Sequence, residues 1–355
     1  MVDFIVKIPE NKTPIILQLS DPQIIDSSQA LSGRLNETEL AYWAKDKKEE
    51  RAFTYIRETV QNTSPDLIFI TGDIVYGEFD HDGSALTSFV EFMDGFGIPW
   101  APVFGNHETE SRMGADWQCA QLKNAKHCLF KQRTLTGNGN YTVGIQQGGI
   151  LTRVFYMMDS NSGIPSEESI ANGHSQHGAG FGEDQIAWYT QSIQTVRMAY
   201  PSVKISFAFH IPIMAFENAL EKYGYVHGMP EICVDIDERG DKGADFGMII
   251  TPFYGWDQDY TVWNQFKTLG VDSIFVGHNH EICTSVVYEG IRCQFGLKST
   301  TYDSNIYINA LSKPVKSFCP GGTPVIGGTV LELAVNDGSI KNAYHYYCKN
   351  VTFEN

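Results

Sequence analysis

The chain lacks any long apolar run. No stretch of 18 apolar residues occurs among its 355 residues, so we expect no membrane-spanning helix. Its first residues, Met1 to Lys7, also lack the basic head and the apolar stretch of a secretory signal peptide. Two interpretations stay open: a cytosolic protein, or a chain whose numbering begins after a removed leader. Repeats and low-complexity tracts are absent as well, and we predict a single domain over residues 1–355.

Basic residues are scarce. The chain has 26 Lys and Arg against 42 Asp and Glu, which gives a formal net charge of −16. Such a surface repels nucleic acid and anionic membranes, so we predict no nucleic-acid partner. The composition is otherwise that of a globular protein, with 42% hydrophobic and 12% aromatic residues. A chain of this length and composition can bury a large core.

Cysteines and glycosylation sequons favour the secretory route. The seven cysteines are an odd number, so at least one thiol is free or pairs between chains. Cys119 and Cys128 flank a short polar segment, and we predict a disulfide between them. Five acceptor sequons occur, at Asn11, Asn36, Asn62, Asn140 and Asn350. These features favour a secreted or a lysosomal or vacuolar glycoprotein, and a cytoplasmic enzyme with buried free thiols is the alternative.

Apolar runs alternate with helical patterns along most of the chain. Strands are predicted at 14–20, 67–71, 98–104, 150–158, 203–209 and 271–276, and helices at 45–61, 85–92, 183–198 and 257–269. Residues 109–140 are predicted to be irregular, 160–182 a loop, and 216–254 a long insertion. Two hairpins follow within residues 281–350, at 284–295 and 329–347. This pattern predicts two mixed sheets packed face to face, with helices outside.

Five short segments end apolar runs with side chains that bind cations. They are Ser20–Gln23, Thr71–Asp73, Phe104–Glu108, Phe209–Pro212 and Val276–His280. Binding sites in open α/β sheets lie at the carboxyl ends of strands, where all five segments begin. A carboxylate such as that of Asp73 can bridge two cations through its two oxygens. Carboxylate and amide oxygens mixed with imidazole nitrogens suit Zn, Mn or Fe.

A pair of cations in this arrangement indicates phosphate ester hydrolysis. Two cations roughly 3.5–4 Å apart clamp the phosphate oxygens and lower the pKa of a bridging water. The resulting hydroxide attacks phosphorus in line, and the leaving alkoxide then needs a proton. His107 directly follows Asn106, so it lies beside the metals without having to bind one. We assign it as general acid and as a stabiliser of the transition-state charge.

The five segments, in this order from Asp21 to His280, resemble the calcineurin-like metallophosphoesterase family. Its pattern is Asp-x-His, Gly-Asp, Gly-Asn-His-Asp/Glu, a lone His and Gly-His-x-His. Three strings resemble the purple acid phosphatase-like branch: Phe209-His210-Ile211-Pro212, the helix start Glu183–Trp188, and Phe295-Gly296-Leu297-Lys298. The resemblance implies a four-layer α/β/β/α sandwich. It also implies one metal held by Asp21, Asp73 and His280, and another held by Asp73, Asn106, His210 and His278.

The first motif departs from the family. Gln23 stands where the family has a histidine, and an amide oxygen binds metals more weakly than imidazole. Tyr76 lies three residues after Asp73, where purple acid phosphatases carry a tyrosinate on ferric iron. Either residue could complete the shell of the first metal, and Tyr76 as an ordinary packed aromatic is equally open. His174 and His177, in a Gly-rich loop, are candidates to touch substrate phosphate, with an idle surface position as the alternative.

The sequence favours a hydrolase of phosphate monoesters. A phosphodiesterase of the acid sphingomyelinase-like kind, which shares the Asn-His-Glu and His-Ile-Pro strings, is one alternative. A binding module with a degenerate metal site, suggested by Gln23 alone, is the other. The expected partner is a small phosphorylated substrate, with a phosphopeptide and a lipid head group both open. The sequence leaves the oligomeric state and the identity of the metal undetermined.

Overall fold

The structure of the protein is a computed structural model, and it describes residues 2–26, 48–161, 180–226, 234–235, 245–249, 253–257, 260–280, 282–300 and 326–349. The strands in these ranges are β1 (Phe4–Ile8), β2 (Ile15–Leu19), β3 (Leu67–Ile70), β4 (Trp100–Pro102), β5 (Tyr141–Gln147), β6 (Ile150–Met157), β7 (Lys204–Ala208), β8 (Val234–Asp235), β9 (Met248–Ile249), β10 (Ser273–Val276), β11 (Ser285–Tyr288), β12 (Ile291–Phe295), β13 (Gly327–Leu333) and β14 (Ile340–Tyr347). The α-helices are α1 (Lys48–Thr63), α2 (Ser84–Asp94), α3 (Gly114–Asn124), α4 (Glu183–Ala199), α5 (Ala215–Glu221) and α6 (Thr261–Thr268).

Two mixed sheets form the centre of the molecule. The seven-stranded sheet has the order β1-β5-β6-β7-β10-β12-β11, and the five-stranded sheet has the order β14-β13-β2-β3-β4. Strands β2, β3 and β4 run parallel, as do β6, β7, β10 and β12. The inner parallel strands are largely apolar, because other layers cover both of their faces. All four residues of β3, for example, are apolar and buried. A small ribbon of β8 and β9 stands apart from both sheets.

Apolar side chains join the two sheets face to face. The centroid of the Phe69 ring on β3 lies 5.6 Å from the ring centroid of Phe155 and 5.2 Å from that of Phe275, both on the other sheet. Helices cover the outer faces. Buried side chains of α1, α2 and α3 join the core around the five-stranded sheet, and those of α4, α5 and α6 join the core around the seven-stranded sheet. The layers therefore run helix, sheet, sheet, helix, which confirms the predicted architecture.

The predicted strands and both hairpins are confirmed. Strands β11 and β12 pair antiparallel across Glu289-Gly290, and β13 pairs with β14 across the turn near Gly338. Two expectations were wrong. Residues 109–140 are not irregular throughout, because they contain α3. Strands β1 and β5 were not predicted at all. They pair with each other, and β1 is the edge of its sheet with a partly exposed residue pattern that resembles a loop.

The predicted insertion at 216–254 opens within α5, and most of it lies outside the described residues. His174 and His177 also lie outside them, as do Cys233 and Cys319, and Asn36 and Asn350. Within the described ranges, no helix combines the length and the apolar character that a membrane crossing demands.

The predicted disulfide between Cys119 and Cys128 is wrong. Both residues carry free, buried thiols. Cys119 lies on the buried face of α3, and Cys128 lies on a segment that bridges to Trp100 at the edge of the five-stranded sheet. Burial raises the pKa of Cys119 to about 12, so the thiol stays protonated and behaves as an apolar core group.

The fold buries the asparagine of one sequon. Asn140 is 1% exposed, and its side chain bonds to the carbonyl of Thr136 and to the side chain of Gln185. A glycan on Asn140 is therefore incompatible with the folded chain. Asn11 and Asn62 are exposed.

Candidate metal centre

The predicted ligands meet at one edge of the two sheets. Asp21, Asp73 and Asn106 follow the carboxyl ends of β2, β3 and β4 in the five-stranded sheet. His210 and His278 follow the carboxyl ends of β7 and β10 in the other sheet. Parallel strands place their carboxyl ends together, and face-to-face packing brings the two groups into contact. The site therefore lies across the seam between the sheets.

One cluster forms around the amide oxygen of Asn106. This Oδ1 lies 2.9 Å from His210 Nε2 and 2.8 Å from His278 Nδ1, and Asp73 Oδ2 lies 3.2 Å from the same His210 nitrogen. His210 Nδ1 lies 2.7 Å from the carbonyl oxygen of Thr71. Because a carbonyl only accepts, Nδ1 carries a proton and Nε2 is directed at the cluster, which is the usual orientation of a metal-binding histidine. We call this cluster the Asn106 position.

A second cluster shares Asp73. Asp21, Asp73 and His280 each offer a ligand atom, and these atoms lie within 4.8 Å of one another. His280 Nε2 lies 3.2 Å from Asp21 Oδ1. Asp21 and Asp73 are 2% and 1% exposed, so two carboxylates are buried side by side. We call this cluster the Asp21 position.

The electrostatics of both clusters fit cations. Burial opposes ionisation of Asp73, but the neighbouring His210 and His107 outweigh it and hold its pKa well below the usual range. Burial also opposes charge on His210, but Asp73 and Asp21 raise its pKa to about 9. Buried carboxylates thus recruit positive charge, as a proton on His210 or as a metal ion that displaces it. Oxygen and nitrogen donors without a thiolate suit Zn, Mn or Fe. The roles of these residues as ligands stay a prediction.

The backbone at the site is specialised. Asp21, Asp73 and His278 have φ values of 49°, 50° and 72°, in the left-handed region that non-glycine residues seldom adopt. Such conformations persist where the surrounding structure enforces them, and they cluster at functional sites. Gly105 is required by close approach, because a Cβ there would lie 2.2 Å from Asp73 Oδ1.

Three contacts hold His107 beside the cage, the name used here for the Asn106 and Asp21 positions together. Its backbone N–H donates to Asp73 Oδ1 at 2.9 Å, and its Nδ1 lies 2.7 Å from Glu110 Oε2. Its ring stacks on Tyr76, with 4.0 Å between centroids and 25° between planes. Burial opposes the charge, but Glu110 and Asp73 raise the pKa of His107 to about 9. With Nδ1 at Glu110, the other ring nitrogen, Nε2, lies on the side of Asp73, 3.8 Å from its Oδ2.

The two candidates for the missing ligand lie in different surroundings. Gln23 donates from Nε2 to Asp73 Oδ2 at 3.4 Å, while its Oε1 accepts from Lys298 at 2.7 Å. Tyr76 is buried against His107, between the strand ends and a short 3₁₀ turn, Gly77–Phe79. Both assignments stay predictions.

Sequence reasoning gave no role to three supporting residues, although Glu108 and Lys298 stand in strings that it singled out. Glu108 accepts from the N–H groups of Ile74 and Gly105, which fixes the loops that carry Asp73 and Asn106. Glu110 orients His107, and Lys298 contacts Gln23. The glutamates stand within or next to the His107 motif, so their spacing was the available signal. Lys298 follows β12, where a buried strand of a parallel sheet ends, and this position was the signal for it.

Comparison with known proteins points in the same direction. The profile of the calcineurin-like phosphoesterase family matches residues 15–282. "Probable inactive purple acid phosphatase 28" of Arabidopsis thaliana is 29% identical over 181 residues, which are 45% of this chain and 44% of the relative. "Phosphatase DCR2" of Saccharomyces cerevisiae is 23% identical over 248 residues, which are 66% of this chain and 39% of the relative. The chain thus spans less than half the length of these curated relatives.

Among solved structures, a dimetal phosphatase from Danio rerio matches with a TM-score of 0.52. The match covers 91% of this chain and 93% of the other at 12% identity, so it speaks for the fold alone.

Proposed function

The chain belongs to the calcineurin-like phosphoesterase family, and from this premise we propose that it hydrolyses phosphate monoesters with the help of two metal ions. The observation that carries the proposal is the convergence of the two clusters on Asp73, with His107 beside them. The proposed substrate is a small phosphorylated molecule.

Two cations fit the donor atoms of this chain. Asp21, Asp73 and His280 would hold one at the Asp21 position. Asp73, Asn106, His210 and His278 would hold the other at the Asn106 position. When bound, the cations supply Lewis acidity toward the phosphoryl oxygens and an activated water. Fe, Zn and Mn all suit this donor set.

His107 supplies the proton for the leaving group. Its Nδ1 is engaged by Glu110, so Nε2 is the nitrogen that can donate. Without metal ions, Glu110 and Asp73 outweigh the effect of burial and raise the pKa of His107 to about 9, and the direct contact with Glu110 favours the protonated imidazole. The same positive charge stabilises the negative charge that develops on the phosphoryl group. The backbone contact to Asp73 ties the acid to the metal cage.

Replacing His107 tests this assignment. In His107→Ala, turnover should fall roughly 10²- to 10⁴-fold, because the general acid is lost while the metal donors remain. Elemental analysis of the same sample should still find the wild-type metal content. Loss of metal in the variant would make His107 a ligand and overturn its role as the acid.

Two rival functions have their own outcomes. Parallel assays on p-nitrophenyl phosphate and on bis(p-nitrophenyl) phosphate separate a monoesterase from a phosphodiesterase. Curated relatives carry "probable inactive" in their names, and Gln23 departs from the family pattern. If a metal-loaded sample turns over no phosphate ester, the binding module is the correct function.

Tyr76 as a tyrosinate ligand has its own test, because a tyrosinate bound to ferric iron absorbs visible light. A colourless iron-loaded sample would therefore remove Tyr76 as a ligand.

A further inference from the structure

A lysine ammonium is buried next to the proposed metal cage. Lys298 is 1% exposed and follows the end of β12, beside Ser20. Among the described residues, its Nζ donates to Gln23 Oε1 at 2.7 Å and to the carbonyl oxygen of Asp21 at 3.2 Å. A buried charge is tolerated only when hydrogen bonds or counter-charges satisfy it. Lys298 therefore depends on the amide oxygen of Gln23.

This dependence decides how Gln23 is oriented. A carboxamide has one oxygen, and here it faces Lys298, so the NH₂ group is turned toward Asp73 Oδ2 at 3.4 Å. An amide NH₂ group donates hydrogen bonds and has no lone pair for a metal ion. The reversed orientation would place two donor groups face to face and leave the ammonium without its closer acceptor. A shared oxygen would bring the ammonium and a metal ion onto one atom, where their charges repel.

We infer that Lys298 keeps Gln23 out of the metal shell. Without Gln23, the Asp21 position keeps Asp21, Asp73 and His280, with Tyr76 as the other candidate ligand, and it has a fixed positive charge in its neighbourhood. The Asn106 position has four candidate ligands, and among the described residues no lysine or arginine forms a hydrogen bond or an ion pair with three of them, Asp73, His210 and His278. The Asn106 position therefore fills first, and the Asp21 position binds the same ion more weakly. The inference rests on the proposed function only for the binding of metal, not for turnover.

Manganese titration of the metal-free protein tests the inference without an activity assay. Equilibrium dialysis with elemental analysis gives the ions bound per chain at each free Mn²⁺ concentration. For the wild type, we expect the second ion to need at least about tenfold more free Mn²⁺ than the first. At one equivalent, electron paramagnetic resonance should show the six-line spectrum of an isolated Mn²⁺ ion rather than a coupled pair.

Lys298→Met removes the ammonium while keeping most of its volume. Gln23 is then free to turn its oxygen to the cage, so affinity for the second ion should rise about tenfold. The double variant Lys298→Met with Gln23→Ala should lose that gain. Lys222→Met is the matched control, because Lys222 pairs with Asp245 away from the cage. Its binding curve should overlay that of the wild type.

Two results overturn the inference: equal affinity for both ions in the wild type, or an unchanged second affinity in Lys298→Met. If circular dichroism shows that Lys298→Met does not fold, the affinity of Gln23→Ala for the second Mn²⁺ ion tests the inference instead. A second-ion affinity within about threefold of wild type supports the inference, and a tenfold fall makes Gln23 a ligand and overturns it. A wild type that binds none of Mn²⁺, Zn²⁺ and iron overturns the proposed function itself, and the inference with it.

Discussion

At the residue scale, Glu110 fixes which nitrogen of His107 can act. In Glu110→Gln, the imidazole loses its carboxylate partner and protonates the leaving group less well. Turnover of alkyl phosphates should fall roughly 10- to 100-fold, because an alkoxide cannot leave without a proton. Turnover of p-nitrophenyl phosphate should change far less, because p-nitrophenolate leaves unprotonated. Steady-state kcat on both substrates measures the difference.

The Glu10→Gln variant, at an exposed position, is the control for this experiment, and its kcat on both substrates should equal that of the wild type. Equal slowing of both substrates by Glu110→Gln would contradict a role for Glu110 in orienting the acid. It would point instead to a general distortion of the site.

Gly105 provides a second test at this scale. A Cβ in Gly105→Ala would lie 2.2 Å from Asp73 Oδ1 and 2.5 Å from its backbone nitrogen, so Asp73 must move. Since Asp73 belongs to both positions, we expect the variant to retain less metal and to lose roughly 100-fold or more in turnover. Gly95→Ala is the control, because its φ of −61° suits alanine and its nearest contact is 3.2 Å away. A Gly105→Ala protein with normal metal content would refute the crowding argument.

The sequence allowed the candidate ligands to be singled out, but not the hydrogen bonds that the structure gives them. Asp73 and His210 could be identified because each ends an apolar strand. The orientation of Gln23 depends on Lys298, which lies 275 residues away in the chain. Contacts between residues so far apart in the chain arise only from tertiary packing, so no local sequence pattern predicts them.

At the element scale, Phe69 is one of the contacts between the sheets. It is 1% exposed and its ring meets Phe155 and Phe275. Phe69→Ala leaves a cavity in the seam and should reduce the free energy of unfolding by about 3–5 kcal/mol. Urea denaturation followed by circular dichroism measures the change. Ile150→Ala, at a position 59% exposed, should cost less than about 1 kcal/mol. Similar losses for both variants would mean that the seam is not tightly packed.

Buried elements were predictable, and marginal ones were not. Strands β2, β3, β7 and β10 are mostly apolar and almost entirely buried, and α4 has helical spacing of its buried residues. Helix α3 buries only Gln118, Cys119 and Leu122, so its pattern resembles a polar loop. The predicted disulfide failed for the same reason, because the helix directs Cys119 into the core.

At the scale of the whole molecule, His345 ties the two sheets together at their edges. It lies on β14, donates from Nε2 to the carbonyl oxygen of Cys283 just before β11, and accepts from Thr329 Oγ1 at 2.9 Å. Burial lowers the pKa of His345 to about 4, whereas an unfolded histidine has its ordinary value of 6.5. Between these values the unfolded chain binds a proton that the folded chain excludes, so stability falls as the pH falls.

The variant His345→Gln keeps a donor for Cys283 but removes this titration. Between pH 7 and pH 5, the wild type should lose about 2 kcal/mol more of its unfolding free energy than the variant. Urea denaturation at the two pH values measures this difference. An identical pH dependence of both proteins would show that His345 is not held neutral.

The layer order followed from the pattern of elements, but the assignment of strands to sheets did not. Strand β1 joins the seven-stranded sheet through β5, whereas β2, a few residues later, joins the other sheet. Nothing in either strand's composition specifies its partner. That choice is made by which apolar faces fit together across the seam.

The pairing of β2 has a consequence for biosynthesis. Strand β2, which leads to Asp21, is flanked by β3 and by β13, and β13 begins only at Gly327. While the ribosome still holds that late segment, β2 has an open edge and the loop carrying Asp21 is unsupported on that side. The nascent chain therefore lacks the complete set of candidate metal ligands in their folded arrangement. On the proposed function, both ions would therefore bind after translation, once β13 has paired with β2.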